Sequence, residues 1–340
     1  MQVISPESIQ QGDRLALSRL LTQLENQTPE GQRVLNALYP HTGQAYLVGI
    51  TGAPGTGKSS LVNRLVQFFR QPAQDMDPVT VGIVAVDPSS PFSGGAVLGD
   101  RVRMGSANRD PGVFIRSMAS RGSLGGLAAT TSQLVQALDA AGYQLILIET
   151  VGAGQAEVEI ARLAHSTVVI EAPGRGDEIQ TIKAGILEIA DILVVNKSDL
   201  PGAEQAYRSL VQMLTNSTPD PGISSYHNSK TNSSINKEKA PGQNRWEVPV
   251  LMTSAVKNEG IAELKNALLA HRKHLNSSGE YQLREKRRVQ ADLDRMLQNR
   301  LVAHWRESIP EETYHQTLAD LIERQISPDQ ALQLLLDGGK

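Results

Sequence analysis

Eight consecutive residues constrain this chain more than any other feature. Gly52-Ala53-Pro54-Gly55-Thr56-Gly57-Lys58-Ser59 fits G-x-x-x-x-G-K-[ST] in full. The apolar run Leu47–Thr51 precedes it, and Leu61, Val62, Leu65, Val66 and Phe69 follow at helical spacing. Strand, glycine loop and helix in that order make a phosphate-binding loop. The glycines let backbone N–H groups wrap a phosphate, and the helix N-terminus adds a favourable potential. Gly52, Gly55, Thr56, Gly57, Lys58, Ser59 and Ser60 are therefore the expected phosphate-side residues. Lys58 is expected to hold the terminal phosphates and Ser59 to ligate Mg²⁺.

The surrounding pattern gives the fold class. Short apolar runs at Tyr46–Thr51, Val79–Val86, Val113–Arg116, Tyr143–Glu149, Thr167–Glu171, Ile192–Asn196 and Val248–Thr253 alternate with helical segments. Strands that are apolar throughout and separated by helices predict an α/β P-loop NTPase with a mostly parallel central sheet, covered on both faces. Ligands of such sheets sit at the carboxyl ends of the strands.

Residues 1–43 read as a helical N-terminal extension of two helices. Ser5-Pro6 and Thr28-Pro29 each supply an N-cap followed by proline. The P-loop domain is expected over 44–275. Within it, 215–245 is rich in Ser, Asn, Thr, Pro and Lys and reads as a mobile insertion, with a partner-binding loop as the alternative. Residues 276–340 are helical. Val289, Leu293, Met296, Leu297, Leu301 and Trp305 form one apolar stripe, and Ser327-Pro328-Asp329-Gln330 is a capping box.

Asn196-Lys197-Ser198-Asp199 follows the apolar strand Ile192–Val195. An N-K-x-D element at a strand end suits guanine, because the aspartate can accept from both the ring N–H and the exocyclic amino group. Adenine offers no such donor pair. Alone, the pattern also fits an exposed turn. The short loop Thr253-Ser254-Ala255 strengthens it, being of the kind that meets the guanine carbonyl through a backbone N–H. GTP or GDP is the expected nucleotide, bound with Asn196, Lys197, Asp199, Ser254 and Ala255.

The strand Leu145–Glu149 ends in an acid and runs into Thr150-Val151-Gly152. Glu149 can hold the Mg²⁺ shell, and the Gly152 N–H can meet the γ-phosphate. Ala153 and Gly154 intervene before Gln155, so no side chain directly after Gly152 orients water. Asp87 and Asp100 are candidate acids for the Mg²⁺ shell, with turn capping as the alternative for each. Gln155, Asp177 in the loop Pro173–Asp177, and Arg101, Arg103, Arg116 and Arg121 are candidate groups for the chemistry.

Composition narrows the remaining classes. With 33 basic and 36 acidic residues the net charge is −3, so no nucleic-acid partner is expected. The absence of cysteine excludes thiolate metal sites and a cysteine nucleophile. Apolar runs are strand-length, so no membrane partner is expected and a cytoplasmic location is the default. His271 and His274 stand beside Arg272 and Lys273 and read as a solvated helix face, as does the Arg287-Arg288 region.

Taken together these residues resemble the MeaB/ArgK-type GTPases, chaperones of adenosylcobalamin-dependent acyl-CoA mutases of the methylmalonyl-CoA mutase type. The most specific stretches are Val86–Phe92 with Gly94-Gly95, Leu98–Met104, Ile115–Ala119 with Arg121-Gly122, and Leu124–Leu127. Glu149–Gly152 with Gly154-Gln155, and Pro173-Gly174 with Gly176-Asp177, add to them. The resemblance implies a homodimer built by the C-terminal helical arm and a mutase partner. It further implies a nucleotide state that gates cofactor loading and protects that mutase. Some relatives carry a label linking them to arginine and ornithine transport, and an ATPase or kinase of that kind is the alternative reading. The chain departs from the pattern at His165-Ser166, where an aspartate is expected, and in the length of the 215–245 insertion.

Overall fold

The computed structural model describes residues 4–71, 77–87, 109–119, 124–150, 155–174, 188–216 and 246–337. By their contacts they group into two units, Met1–Arg288 and Val289–Lys340. The first unit is built on β1 (Tyr46–Thr51), β2 (Val81–Asp87), β3 (Val113–Ala119), β4 (Leu145–Glu149), β5 (Ser166–Glu171), β6 (Ile192–Val195) and β7 (Val250–Met252). They form one sheet in the order β3-β2-β4-β1-β5-β6-β7. Every pairing is parallel. All seven expected strands are present, differing only at their ends.

Alternate residues along each strand serve opposite faces. Leu145 and Leu147 join the core under α4 (Lys58–Arg70) and α8 (Ile261–Ser278), with Leu61, Leu65, Leu264 and Leu268. Ile146 and Ile148 join the other core, under α5 (Leu124–Ala140) and α6 (Gln155–Leu163). A smaller cluster packs α7 (Ala203–Asn216) on β5 and β6 through Ala206 and Leu210. Both faces are thus covered, and the strands are apolar throughout for that reason.

The N-terminal extension belongs to the same unit and the same core. It forms α1 (Pro6–Gln10), α2 (Arg14–Glu25) and α3 (Pro29–Leu38), one helix more than expected. Gly12 takes φ +86° and breaks the helix, and Asp13 caps the next one by accepting from the Leu15 and Ala16 N–H groups at 2.9 and 3.0 Å. Leu17, Leu20, Leu21, Leu24, Leu35 and Leu38 are buried with the sheet. Each buried leucine contributes about 2 kcal/mol. The end of the extension is tied down by Asp139, which accepts from the N–H groups of Gly43, Gln44 and Ala45 at 2.5, 3.2 and 2.9 Å.

At the amino ends of the strands, buried polar groups anchor α8 and the start of α9 (Glu280–Ser308). Arg284 meets Asp191 through two hydrogen bonds of 2.9 and 2.8 Å and donates to the His165 carbonyl at 2.8 Å. The Ser166 hydroxyl lies 2.6 Å from His271 Nδ1 and hydrogen-bonds the Tyr46 hydroxyl. His271 Nε2 is 3.4 Å from Asp191 Oδ1. The Leu47 N–H donates to His165 Nδ1 at 3.0 Å, which leaves the proton on Nε2, facing Glu285 at 3.2 Å. Residues 276–288 accordingly stay with the first unit.

Two sequence expectations are overturned here. His271 is not solvated but fully buried, with the Trp246 ring 4.7 Å away, and the same ring stands 5.5 Å from His274. Arg288 is buried beside Glu285 instead of lying on a solvated face. Neighbouring cations in sequence misled because successive helix positions face different ways. The departure at His165-Ser166 also has its physical role: those two side chains hold the helices that follow the sheet. Among the described residues no group of three or more His, Asp or Glu could hold a metal ion. No described helix is long and apolar enough to cross a membrane.

The second unit comprises the rest of α9 with α10 (Glu311–Ile322) and α11 (Pro328–Asp337). Trp305 Nε1 donates to the Leu335 carbonyl at 3.2 Å. The capping box forms as expected: Ser327 Oγ accepts from the Gln330 N–H at 3.2 Å, and Gln330 Oε1 from the Ser327 N–H at 2.9 Å. Leu293, Met296, Leu297, Leu301 and Val302 are each more than half exposed in the single chain, as are Ile322, Leu332, Leu334 and Leu336.

Candidate nucleotide site

Sheet order gathers the sequence motifs at one end. The phosphate loop leaves β1, Glu149-Thr150 ends β4, Asn196–Asp199 follows β6 and Thr253–Ala255 follows β7. Because Ile50 is in register with Glu149, the acid lands beside the loop that β1 feeds.

The loop's glycines are set by crowding as well as by conformation. Gly52 has φ +141°, and a Cβ there would sit 2.0 Å from the Ile170 carbonyl oxygen. Gly57, at φ +90°, caps α4, and a Cβ there would meet Asn196 Nδ2 at 2.6 Å. Lys58 is buried, and its ammonium donates to the carbonyls of Gly52 and Ala53 at 2.8 and 3.0 Å. The Ser59 hydroxyl donates to Glu149 Oε1 at 2.6 Å. Ser60 follows on the exposed side of the same turn. Hydroxyl and carboxylate oxygens are hard donors, so the Ser59–Glu149 pair fits Mg²⁺ chemically.

Two buried threonines, Thr51 at the end of β1 and Thr150 of the Glu149–Gly152 string, tie the end of β4 to the loop. Thr150 Oγ1 donates to Thr51 Oγ1 at 3.0 Å, and the Thr150 N–H to the Ile50 carbonyl at 3.1 Å. Both side chains are almost fully enclosed.

On the other side Asn196 joins three loops. Its Nδ2 donates to the Thr56 carbonyl at 2.8 Å, and its Oδ1 accepts from the Thr253 hydroxyl at 3.1 Å and the Ala255 N–H at 3.4 Å. Lys197, with φ +60°, reaches back to the Gly55 carbonyl at 2.8 Å. Asp199 is exposed at the rim, and its Oδ1 accepts from the Ser254 hydroxyl at 2.6 Å. That hydrogen bond holds the Asp199 carboxyl below the usual carboxylate range. The carboxylate is thus ionised at the exposed rim of this end of the sheet.

The structure brings Gly52, Gly55, Thr56, Gly57, Lys58, Ser59, Ser60, Glu149, Asn196, Lys197, Asp199, Ser254 and Ala255 to this end of the sheet. Asp87 ends β2 and Gln155 begins α6, each placed by its backbone. Asp100, Gly152 and Asp177 lie outside the described residues, as do Arg101, Arg103, Arg121 and 217–245 of the insertion. Arg116 is accounted for elsewhere: it pairs with Glu25 of α2 at 2.6 Å, on the flank of β3.

The family model for the methylmalonyl-CoA mutase-associated GTPase MeaB matches residues 17–309. A protein of Pyrococcus abyssi that carries a GTPase name is 39% identical over 330 residues, covering 97% of this chain and 94% of its own length. The GTPase ArgK of Escherichia coli is 30% identical over 338 residues, covering 96% and 93%. The crystal structure of an LAO/AO transport system kinase superposes with a TM-score of 0.68 at 25% identity, covering 98% of this chain and 95% of that one.

Proposed function

Because this chain belongs to the family of methylmalonyl-CoA mutase-associated GTPases and is a P-loop GTPase, we propose that its GTP cycle serves an adenosylcobalamin-dependent acyl-CoA mutase, as a chaperone that gates cofactor loading and protects the loaded enzyme. The observation that carries the reading is the join at Asn196, which locks the base-side loops to the phosphate loop. Base recognition and phosphate chemistry then respond to one another.

GTP lies with its phosphates at the N-terminus of α4, where backbone N–H groups and Lys58 meet the negative charge. To do so the Lys58 ammonium leaves the carbonyls of Gly52 and Ala53. Asp199 accepts from the ring N–H and the exocyclic amino group of guanine, and Ser254-Ala255 face the guanine carbonyl. Ser59 and Glu149 would hold Mg²⁺, with Asp87 and Asp100 as further acids and Gly152 at the γ-phosphate. Bound there, Mg²⁺ supplies charge neutralisation for the phosphate oxygens.

Hydrolysis attaches a water oxygen to the γ-phosphorus and breaks its bond to the β–γ bridging oxygen, leaving GDP and phosphate. Ala153 cannot orient that water, so the unaided reaction is slow. Gln155 and Asp177 are the groups we assign to positioning that water when the partner is bound. The exposed apolar side chains of the second unit serve an isologous homodimer.

The test is single-turnover GTP hydrolysis with and without a cobalamin-dependent mutase from the same cell. Acceleration, with unequal mutase affinity for the GDP- and GTP-loaded forms, is the expected result, because coupling is reciprocal. A rate unchanged by saturating mutase removes partner activation, and equal affinities remove gating. A transport-linked kinase reading draws on the name of the solved relative, but an ATP base would leave Asp199 without its donor pair.

A further inference from the structure

The loop after β7 is closed at its base by Ser254 and Glu259, whose N–H and carbonyl groups pair at 3.0 and 3.1 Å. Two side-chain ties come from the Asn196–Asp199 segment, as described above. A third comes from across the molecule. Arg64, less than two turns along α4 from Lys58, donates through Nε to the Ala255 carbonyl at 3.0 Å. Its guanidinium is braced on its own helix, with Nη1 3.3 Å from Gln67 Oε1. Ala255 is buried, whereas the next residue, Val256, is 81% exposed.

Resting on the guanine reading above, we propose that Arg64 is a positioning residue for base specificity. Held against α4, the Ala255 carbonyl fixes the plane of the peptide that joins Ala255 to Val256. In a trans peptide the carbonyl and the N–H point opposite ways, so fixing one aims the other. The Val256 N–H, beside Ser254 and Ala255, is thereby set before a base arrives, and a hydrogen bond from it needs no ordering at the moment of binding. Without Arg64 the Ala255 carbonyl loses its partner, and that peptide is held only by the loop's own closure, in which the Lys257 N–H donates to Ser254 Oγ at 3.2 Å. The Asp199–Ser254 hydrogen bond does not run through that peptide, so recognition of the guanine carbonyl is separable from recognition of its amino group.

The same helix also carries the segment that follows. Lys265 of α8 donates to the Phe68 carbonyl at 2.8 Å and lies over the Phe69 ring at 5.4 Å. α4 therefore receives the phosphates at its N-terminus and references the base loop along its side.

Arg64→Met keeps the apolar stem and removes the donor. Affinities for GDP, 6-thio-GDP and IDP are measured for the unmodified and variant full chains. Sulfur is a weak acceptor, so 6-thio-GDP reports on the carbonyl contact; IDP lacks the amino group and reports on Asp199. The variant should bind GDP roughly tenfold to a hundredfold more weakly, the scale of a lost charge-assisted hydrogen bond. Its GDP to 6-thio-GDP preference should shrink while GDP to IDP stays put, and the kinetic loss should fall on KM for GTP rather than on kcat. Unchanged GDP affinity, or equal weakening of all three nucleotides, overturns the proposal. If Arg64→Met does not fold, Arg64→Lys, which keeps charge and reach but loses the planar Nε–H, carries the same comparison. An unmodified chain that binds ADP as well as GDP overturns the guanine reading itself; one that prefers GDP but is indifferent to Arg64 overturns only Arg64's part.

Discussion

Single residues at this site do their work through one or two contacts, which makes their removal readable. Lys58→Ala should abolish hydrolysis while leaving the circular dichroism spectrum native, since the ammonium serves the phosphates and its own loop, not a core. Surviving turnover would mean the phosphates lie elsewhere. Gly57→Ala places a methyl group 2.6 Å from Asn196 Nδ2 and imposes a left-handed backbone on alanine. Strain of about 1–3 kcal/mol is expected, seen as a lower melting temperature and weaker GDP binding in titration calorimetry. ATP should bind roughly 10²–10⁴-fold more weakly than GTP, from the donor pair that adenine denies Asp199. These residues were legible because each lies in a short contiguous motif whose spacing is its geometry. Thr51 with Thr150, and Arg64 with Ala255, were not, because those partners stand 99 and 191 positions apart. Thr150 and Ala255 lie in strings the sequence does mark, but nothing local to either names its partner on β1 or α4.

At the scale of elements, the amino end of the sheet is the place where sequence reading failed and structure explains why. Tyr46, His165, Ser166, Asp191, His271 and Arg284 come from β1, the start of β5, the approach to β6, α8 and α9, and only the fold assembles them. Arg284→Met should destabilise the chain by about 3 kcal/mol, because the Asp191 carboxylate loses its cation while still largely buried. Acid should weaken the same junction. Burial pushes the His271 imidazole down to about 4, against the pull of Asp191, with Arg284 and His274 adding to the fall. Burial lowers His165 too, against Glu285 and with Arg288 and Arg284. In the unfolded chain both histidines take up protons near their ordinary value, so their contribution is whole above about pH 6.5 and declines as pH falls towards 4. For His271 the loss is on the order of 3 kcal/mol. Glu285, which burial alone would raise, is brought down to about 2 by hydrogen bonds from His165 and Arg288. Its share is lost only below about pH 4.5. Urea midpoints should thus fall between pH 7 and pH 4. In Arg284→Met the His271 titration should move upward, as followed by NMR, because the Arg284 charge no longer offsets the pull of Asp191, although burial and His274 still lower it.

For the whole molecule, the sequence made the sheet and its helical cover legible, since strand burial on two faces writes itself as apolar runs. It did not make legible where the C-terminal helix changes allegiance. α9 runs from Glu280 to Ser308 without a break, yet its first turns hold Asp191 and His165. A chain ending at Arg288 should therefore keep GDP binding and sediment as a monomer, while the full chain sediments as a dimer. One ending at His274 should lose stability as well, because Asp191 and His165 would lack Arg284 and Glu285. A monomeric full chain at tens of micromolar in the ultracentrifuge would refute the dimer. The strand order also bears on how a ribosome must deliver this protein. β1 is made first but lies in the middle of the sheet, and its neighbours β4 and β5 begin only at Leu145 and Ser166. The emerging phosphate loop has no flank to settle on until those strands have left the exit tunnel, and no Asn196 to lock it until later still. Long-range parallel pairing of this kind forms slowly and leaves apolar strands open in the meantime. Nascent chains stalled before β4 should be sensitive to protease and indifferent to GDP, and protection by GDP should appear only once β7 has emerged.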